Sequence, residues 1–515
     1  MRKITRHNVK HSLAFLALSI GCSSFNLSFA EVTRSGKTAG IIFDRIMDDP
    51  VELRVFLREM PKGGDLHNHL TGSPYAEEYL EWASDREYCI DTKEGAIKAP
   101  PCELDGVMPA KNLSRTNPEI YAAIVKSISM KGFIAGNIEG VSGHDKFFNS
   151  FALFDPIAAV EPGKSIASVR RAASRDNALY LEIIYNPKAI DDFTFQTNDP
   201  QFNGDDLAGA FSRFEPFIAN LVSEGIEQTN IAEEEAKSLL RCETSKAEKA
   251  CRVEVRYNGY SLRVLTPDKV FRQLALNFAL AHADERFQGV TLVAPEDAPN
   301  ALKDYKLHME MVAFLSKQFP DVSISLHAGE LVLGDTPSSA LAGNIEDAVL
   351  IAGSQRIGHG TDIAFETNAL ETLETMARKN IAVEVSLTSN EKILGVQGAD
   401  HPINLYLKSK VPVVLSTDDQ GVLRIDLTEE YVRAAYEHKL DYRALKHISR
   451  NSLEYAFIAG DSIWEDQIVG GKLVPACQKD NSEACIAFVE KSPKARLQLK
   501  LEKQFDVFED NIVER

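Results

Sequence analysis

Residues 63–73 read GGDLHNHLTGS and place His67 and His69 one residue apart at the end of a short apolar run. In a β-strand, residues i and i+2 point to the same side, so both imidazoles can reach one point in space. Two metal ligands would have this geometry, and so would a half-exposed strand that carries two polar residues. The rest of the chain has to decide between these interpretations.

Seven further short runs follow this first strand at 64–70, most of them rich in β-branched residues and closed by Gly, Pro, Asn or Asp. They lie at 178–187, 253–262, 289–295, 322–329, 356–360, 382–390 and 411–419. Segments with helical patterning, such as 305–319, separate them. Strands that alternate with helices in this way predict an α/β fold, a (β/α)8 TIM-type barrel.

We expect residues 31–515 to form one domain with the barrel core at about 60–460. Two long stretches interrupt the strand–helix rhythm, at about 80–140 after the first strand and about 190–250 after the second. Both are predicted to be helical insertions. The segments after the eighth strand are predicted to be extra C-terminal helices.

Residues 1–30 have the features of a secretory signal peptide. Four basic residues precede the apolar run LAFLALSIG, and SFA at 28–30 places small residues before a cleavage site. The run is too short for a permanent membrane span. The sequence therefore predicts an exported protein, periplasmic or secreted. Lipid attachment at Cys22 is a weaker match, because Ser19 stands where a lipobox prefers leucine.

Charge narrows the range of partners. The formal net charge is −18 at pH 7, and loss of the leader with its four positive charges takes it to −22. Phosphate backbones and anionic membranes require clustered Lys and Arg, so nucleic acid and membrane surfaces are not expected as partners. The balance favours a small neutral or cationic ligand.

Six cysteines remain after the leader, and they fall in the sequence as three pairs of near neighbours. An even count in an exported chain predicts disulfides, and local pairing is one of fifteen possible connectivities, with free buried thiols as the alternative. The predicted pairs are Cys89 with Cys102, Cys242 with Cys251, and Cys477 with Cys485.

Reactive residues gather at the predicted strand ends, where the active site of such a barrel lies. They are His67 and His69 on the first strand, His327 and Glu330 on the fifth, His359 on the sixth, and Asp418 and Asp419 on the eighth. The other histidines after the leader are assigned surface or packing roles: His144, His282, His308, His401, His438 and His447. Imidazoles that converge with a carboxylate suit a divalent metal, with zinc expected where no redox change is needed.

Zinc activates water near neutral pH, and a nearby carboxylate or imidazole can steer that water and move its proton. Glu330 and His359 fit these roles. Taken singly, Glu330 could be an exposed helix residue and His359 a core histidine. Their convergence from different strands favours a catalytic centre.

Five blocks of the sequence carry a specific resemblance: HNH at 67–69, SLHAGE at 325–330, RIGHGTD at 356–362, SLTSN at 386–390 and STDDQG at 416–421. In order and spacing they resemble the signature blocks of the adenosine deaminase family, over about residues 60–460. MPKGG before the first histidine, the export signal and the long early insertion resemble its secreted branch, the adenosine deaminase-related growth factors.

The resemblance implies one zinc ion per chain, held by four residues: His67, His69, His327 and Asp418. It also implies hydrolytic deamination at purine C6 by zinc-activated hydroxide, which converts adenosine or 2′-deoxyadenosine into inosine or 2′-deoxyinosine and ammonia. Glu330 would give a proton to purine N1, His359 would orient the attacking hydroxide, and Asp419 would hydrogen-bond purine N7. His69 would also lie beside the substrate.

Two positions depart from the family's pattern. Thr71 stands where cytosolic adenosine deaminases have an aspartate that meets the ribose; adenine deaminases have Glu there, and relatives acting on N6-methylated nucleotides have Asn. Ala294 stands where the family usually has a glycine whose N–H meets purine N3.

An adenine or N6-substituted adenine aminohydrolase is therefore an alternative. A secreted binding or signalling protein on a retained barrel is an alternative of another class, and the early insertion could build a homodimer.

Overall fold

Parallel strands arranged as a barrel form the centre of the protein in the computed structural model, which describes residues 34–134, 140–479 and 482–514. The predicted leader, including Cys22, lies outside these residues. Among the described residues no helix combines the length and the apolar character needed to span a bilayer.

The strands are β1 (Gly63–His69), β2 (Cys89–Asp91), β3 (Ala96–Lys98), β4 (Val107–Pro109), β5 (Ala178–Ile184), β6 (Glu254–Leu262), β7 (Phe287–Val293), β8 (Ser323–Ala328), β9 (Arg356–His359), β10 (Ala382–Val385) and β11 (Val413–Leu415). The barrel sheet has the order β1-β5-β6-β7-β8-β9-β10-β11, and each pair of neighbours is parallel. These eight strands match the eight predicted runs in order.

The sheet closes on itself beside the predicted site. The backbone N–H of Asp418 donates to the carbonyl of His67 at 2.9 Å, and the N–H of His69 donates to the carbonyl of Asp418 at 3.0 Å. This bridge joins β1 to the chain just after β11. The predicted (β/α)8 barrel is confirmed.

The helices surround the barrel and extend it at both ends of the chain. They are α1 (Arg34–Ile46), α2 (Pro50–Glu59), α3 (Ala76–Asp85), α4 (Leu113–Thr116), α5 (Pro118–Ser127), α6 (Gly143–Phe151), α7 (Asp155–Ala158), α8 (Pro162–Arg175), α9 (Lys188–Gln196), α10 (Leu207–Leu239), α11 (Pro267–Ala283), α12 (Pro299–Gln318), α13 (Asn344–Leu350), α14 (Ala369–Lys379), α15 (Leu387–Leu394), α16 (Ile403–Lys408), α17 (Gln420–Leu423), α18 (Leu427–Tyr436), α19 (Tyr442–Glu454), α20 (Glu483–Lys491) and α21 (Pro493–Glu514).

Burial explains why the strands read as continuous apolar runs. Every residue of β5, β9, β10 and β11 is buried, as expected for parallel strands that have the barrel interior on one face and helices on the other. Helix α11 begins with Pro267 in its first turn, where a missing N–H costs nothing, and buries a continuous stretch from Val270 to Leu280 against the sheet.

The insertions after the first two barrel strands are helical, as predicted. The first, from α3 to α7, also contains a small antiparallel sheet of order β3-β2-β4, whose strands are too short for periodicity to reveal. It has its own apolar core, which includes Tyr79, Ile90 and Phe154. The second is built on α9 and the long helix α10.

The three local disulfides predicted from cysteine spacing are present and confirm the pairing. One ties β2 to the loop between β3 and β4, one closes the turn after α10, and one joins α20 to the turn before it. They join Cys89 to Cys102, Cys242 to Cys251, and Cys477 to Cys485.

Candidate metal centre and active site

Four side chains point ligand atoms at one spot above the carboxyl ends of β1, β8 and β11. Nε2 of His69 lies 3.3 Å from Nε2 of His67, 3.1 Å from Nε2 of His327 and 3.2 Å from Oδ1 of Asp418. Nε2 of His67 lies 3.6 Å from the same Asp418 oxygen. Nitrogen and oxygen donors gathered this closely are typical of a site for a divalent cation.

The far nitrogen of two of these imidazoles is already engaged. Nδ1 of His67 lies 2.7 Å from a carboxylate oxygen of Glu384, which can only accept, so Nδ1 carries the proton. Nδ1 of His327 lies 3.0 Å from the hydroxyl of Thr291, which itself donates to a backbone carbonyl. Both Nε2 atoms therefore present lone pairs to the shared point. A cation between lone pairs that face each other at this range stabilises the cluster, so the residues fit a metal ion.

A buried network of ion pairs holds Glu384, the hydrogen-bond partner of His67, in place. The Arg356 guanidinium binds the carboxylates of Glu384 and Glu182, and all three side chains are almost completely inaccessible to solvent. The guanidinium also stacks on Phe457, with 3.6 Å between its central carbon and the ring centroid. Burial raises the pKa of Glu384, but the charge of Arg356 and the hydrogen bond from His67 outweigh it and lower that pKa to about 2.

The local field favours positive charge at the shared point. Burial lowers the pKa of His67, but hydrogen bonds to Asp418 and Glu384 outweigh it and raise that pKa to about 10, so a bound metal would take the place of a proton on Nε2. The carboxylates that stabilise a proton here would equally stabilise a metal cation.

Glu330 follows β8 and lies at the edge of this centre. Its side chain is 8% exposed, and Oε1 lies 3.7 Å from Nε2 of His359. Burial, together with the negative charges of Asp418 and Glu296, raises the pKa of Glu330 to about 8. A carboxyl group in this environment holds its proton near neutral pH and can deliver it.

His359 ends β9 and is buried between the centre and α15. Its Nδ1 lies 3.1 Å from the side-chain amide nitrogen of Asn390, whereas its Nε2 has no hydrogen-bond partner among the described residues. Burial lowers the pKa of His359 to about 3, so the ring is neutral. Ligand atoms of His67, His327, His359 and Asp418 all lie within 4.8 Å of one another. Proximity alone therefore leaves His69 and His359 as rivals for one ligand position.

The strand ends turn sharply to aim these groups. Ala294, His359 and Asp418 have φ values of +76°, +65° and +58°, in the left-handed region that favours glycine. A side chain in this region costs about 1–2 kcal/mol. Ser389, in the first turn of α15, donates to Oδ2 of Asp418 at 2.6 Å and leaves Oδ1 facing the histidines.

Asp419 is buried and packs closely against the residues that follow His69. A Cβ on Gly72 would lie 1.6 Å from Oδ1 of Asp419, so only glycine allows this close approach. That oxygen has no hydrogen-bond partner in the described chain, and burial together with the Asp418 charge raises the pKa of Asp419. The Thr71 carbonyl accepts from the Tyr79 hydroxyl at 2.6 Å.

A cavity of about 350 Å³ opens at Leu70 and Thr71, directly after the ligand residues of β1. Asp155 and Asp191 line it, and burial raises the pKa of both, that of Asp191 to about 6. Lys188 also lines the cavity, but its ammonium group is hydrogen-bonded to Asp192. The cavity is therefore mildly acidic.

Comparison with known sequences decides the family. The profile of the family described as adenosine deaminase matches residues 166–465, more than half of the chain. The chain belongs to the adenosine deaminase family.

A member of this family, the adenosine deaminase of Clostridium perfringens (strain 13 / Type A), is 32% identical over 174 residues, which are 34% of this chain and 49% of that protein. The chain thus spans about half the length of the curated relatives it matches.

Solved structures similar to this member of the adenosine deaminase family agree on the barrel. An adenine deaminase from Arthrobacter aurescens has a TM-score of 0.52 at 14% identity and covers 78% of this chain and 94% of its own. An N6-methyl-AMP deaminase from Arabidopsis thaliana has a TM-score of 0.50 at 18% identity, with 79% and 94% coverage.

The structure brings all seven predicted ligand and catalytic residues to one place, and puts Thr71 at the cavity mouth and Ala294 at the end of β7. Sequence reasoning missed the residues that support them. Ser389 and Asn390 lie in the SLTSN block, so the family motif signalled them. Glu384 and Arg356 gave a weaker signal, as charged residues inside short buried strands.

Proposed function

We propose that this member of the adenosine deaminase family is a metal-dependent hydrolase that deaminates adenosine or 2′-deoxyadenosine at C6 to give the inosine product and ammonia. The observation that carries the proposal is the convergence of His67, His69, His327 and Asp418 beside Glu330. Zinc suits this nitrogen and oxygen donor set in a reaction without redox change. When bound, it supplies Lewis-acid activation of water near neutral pH.

The surrounding residues supply proton transfer and orientation. The side chain of Glu330 is buried, and its raised pKa keeps it protonated near neutral pH. It donates that proton to purine N1 and so makes C6 more electrophilic. His359 faces the attacking oxygen with its Nε2, which has no hydrogen-bond partner in the part of the chain that the structure describes. Asp419, whose pKa is raised by burial and by the Asp418 charge, keeps a proton that it donates in a hydrogen bond to purine N7.

Substrate size and charge follow from the cavity beyond Thr71. Its volume of about 350 Å³ gives room for a sugar attached to the base. The carboxylates of Asp155 and Asp191 repel a phosphate group, and Lys188 is already engaged with Asp192. These features support a neutral nucleoside in preference to a nucleotide.

A second candidate, an adenine or N6-substituted adenine aminohydrolase, is favoured by Thr71. A threonine hydroxyl is shorter than an aspartate and uncharged, so it binds ribose hydroxyls more weakly. A binding or signalling role in place of catalysis is disfavoured, because binding alone gives no physical need for the metal ligands together with Glu330.

A substrate panel separates the candidates. The purified protein with zinc is assayed with adenosine, 2′-deoxyadenosine, adenine, N6-methyladenosine and AMP, and products are separated by chromatography. We expect the two nucleosides to have the highest kcat/KM, and AMP to be at least about 100-fold poorer because of the acidic cavity. A preference for adenine or N6-methyladenosine would replace the first candidate with the second.

Thr71→Asp tests the sugar contact in the same panel. Restoring a carboxylate at this position is expected to raise kcat/KM for adenosine relative to adenine by about 10-fold. Thr244→Asp, at an exposed position in the turn after α10, is the control for added charge alone. An unchanged ratio in Thr71→Asp would show that Thr71 does not contact the sugar.

We also propose that the protein is exported, with cleavage after Ala30. The basic and apolar leader and the three disulfides support this proposal. Mass spectrometry of protein purified from its host should then find Glu31 as the first residue. An N-terminal lipid on Cys22 would instead show that the chain is anchored.

A further inference from the structure

A chain of buried hydrogen bonds leads away from the candidate centre through α15. Nδ1 of His359 lies 3.1 Å from the amide nitrogen of Asn390, and Oδ1 of Asn390 lies 3.0 Å from Nε2 of His401. The exposed fractions of His359, Asn390 and His401 are 1%, 0% and 4%. Solvent therefore does not compete for these bonds.

The direction of every bond in this chain follows from one backbone group. The N–H of Ile403 can only donate, and it donates to Nδ1 of His401 at 3.2 Å. Nδ1 of His401 is therefore without a proton, and the proton of this neutral ring lies on Nε2. That N–H donates to Asn390, so the amide must turn its oxygen to His401 and its NH2 to His359. Nδ1 of His359 then accepts.

We infer that Asn390 and His401 are positioning residues that hold the proton of His359 on Nε2, facing the active site. His359 thus presents an N–H donor, beside Glu330 at 3.7 Å. A nitrogen that carries a proton has no lone pair for a metal. The network therefore excludes His359 as a ligand and assigns the fourth ligand position to His69.

The contrast with the neighbouring imidazoles supports this division of roles. His67 and His327 are held in the opposite tautomer, with the proton on Nδ1, by Glu384 and Thr291. Their Nε2 lone pairs face the centre, whereas the Nε2 of His359 brings a proton to it. The same residue type thus serves as ligand or as donor according to its partner on the far nitrogen.

The inference extends the proposed function, because an N–H at this point would hold the attacking oxygen and stabilise charge on it. The tautomer itself can be measured without any substrate. We therefore choose ¹⁵N NMR of the full mature protein, zinc-loaded and labelled at histidine, as the primary readout. The spectrum distinguishes a bare ring nitrogen from a protonated one, and His359→Asn assigns the signal.

The decisive variant is Asn390→Asp, whose carboxylate accepts and cannot donate. We expect it to draw the His359 proton from Nε2 to Nδ1 and to lower kcat about 100-fold, with KM changed less than 3-fold. His401→Phe, which frees the amide to turn, should mix the two tautomers and lower kcat about 10-fold. His438→Phe is the matched control: His438 packs on His401, but its Nε2 has no partner in the described structure, and both readouts should match wild type.

Two results would overturn the inference: a wild-type His359 that carries its proton on Nδ1, or an Asn390→Asp variant with an unchanged tautomer. Metal content gives a further check, since His359→Asn should keep one zinc per chain and His69→Asn should lose affinity for it. The inferred tautomer without deamination of any purine would uphold the inference and overturn the proposed function. The wild-type spectrum remains informative even if a variant fails to fold.

Discussion

Ala294 shows the cost of aiming a residue at the site. It directly follows β7 with φ at +76°, where glycine is unstrained and a residue with a side chain is strained. We predict that Ala294→Gly raises the free energy of unfolding by up to about 1 kcal/mol, because relief of strain exceeds the added chain entropy. Urea unfolding measures this free energy. Ala298→Gly is the control at negative φ, and an equal loss of stability in both variants would contradict the claim that Ala294 is strained.

Ser389 shows how a residue outside the ligand set can tune a metal. Its hydroxyl donates to the far oxygen of Asp418 at 2.6 Å. We predict that Ser389→Ala lowers zinc affinity about 10- to 100-fold, measured by competition with a chelating dye. Ser386→Ala is the control, because its buried hydroxyl lies in the same block and has no hydrogen-bond partner in the described structure. Equal affinity in the two variants would show that the Ser389 bond does not orient Asp418.

At the scale of elements, one buried lysine joins two helix ends to the start of β1. Nζ of Lys62 donates to the carbonyls of Leu57 and Met60 at the end of α2, and to that of Asp176 just after α8. We predict that Lys62→Met lowers the free energy of unfolding by about 2–4 kcal/mol at pH 7, because buried carbonyls lose their donor. Lys303→Met, at an exposed position on α12, should stay within about 0.5 kcal/mol of wild type.

The same lysine predicts a pH dependence. Burial lowers the pKa of Lys62 to about 8, so the unfolded chain binds this proton more tightly than the folded one. The difference in unfolding free energy between wild type and Lys62→Met should therefore grow as pH rises from about 8 to about 10.5, by on the order of 3 kcal/mol. A difference that does not vary with pH would show that the amine is not held in this environment.

The elements were also the scale at which the sequence was most informative. Strand positions followed from β-branched runs closed by turn residues, and the site followed because parallel strands deliver their ends to one rim. The small sheet of the first insertion was not predicted, because each of its strands, β2 to β4, spans only three residues, too few to show a periodic pattern. His401 was taken as a packing residue, because its contact with Asn390 depends on how α15 and the loop before α16 meet in space.

At the scale of the whole molecule, the disulfides hold the parts added to the barrel. Each closes a short loop, at sequence separations of 13, 9 and 8. Replacing both Cys477 and Cys485 by serine should lower the free energy of unfolding by about 2–3 kcal/mol, because the unfolded chain regains loop entropy. Denaturant unfolding tests this with the wild type as reference. Non-reducing peptide mapping should find the three local pairs, and crossed pairs would contradict the assignment.

The buried network of Arg356, Glu182 and Glu384 links the barrel interior to His67. It explains why β9 and β10, although buried, each contain a charged residue. Sequence reasoning identified the ligands from their strand ends but not this support, since a charged residue in a short strand gives no sign of its partner. The ionic network and the ligands together make the barrel a scaffold for one cation.

The most direct test measures ammonia release from adenosine and bound metal in the same samples of wild type and Glu330→Gln. The proposed mechanism predicts that both proteins hold one zinc per chain, and that the variant loses about 10²- to 10⁴-fold in turnover, because its amide cannot deliver the proton. Turnover by Glu330→Gln at the wild-type rate, or a wild type that holds zinc and releases no ammonia, would contradict the account.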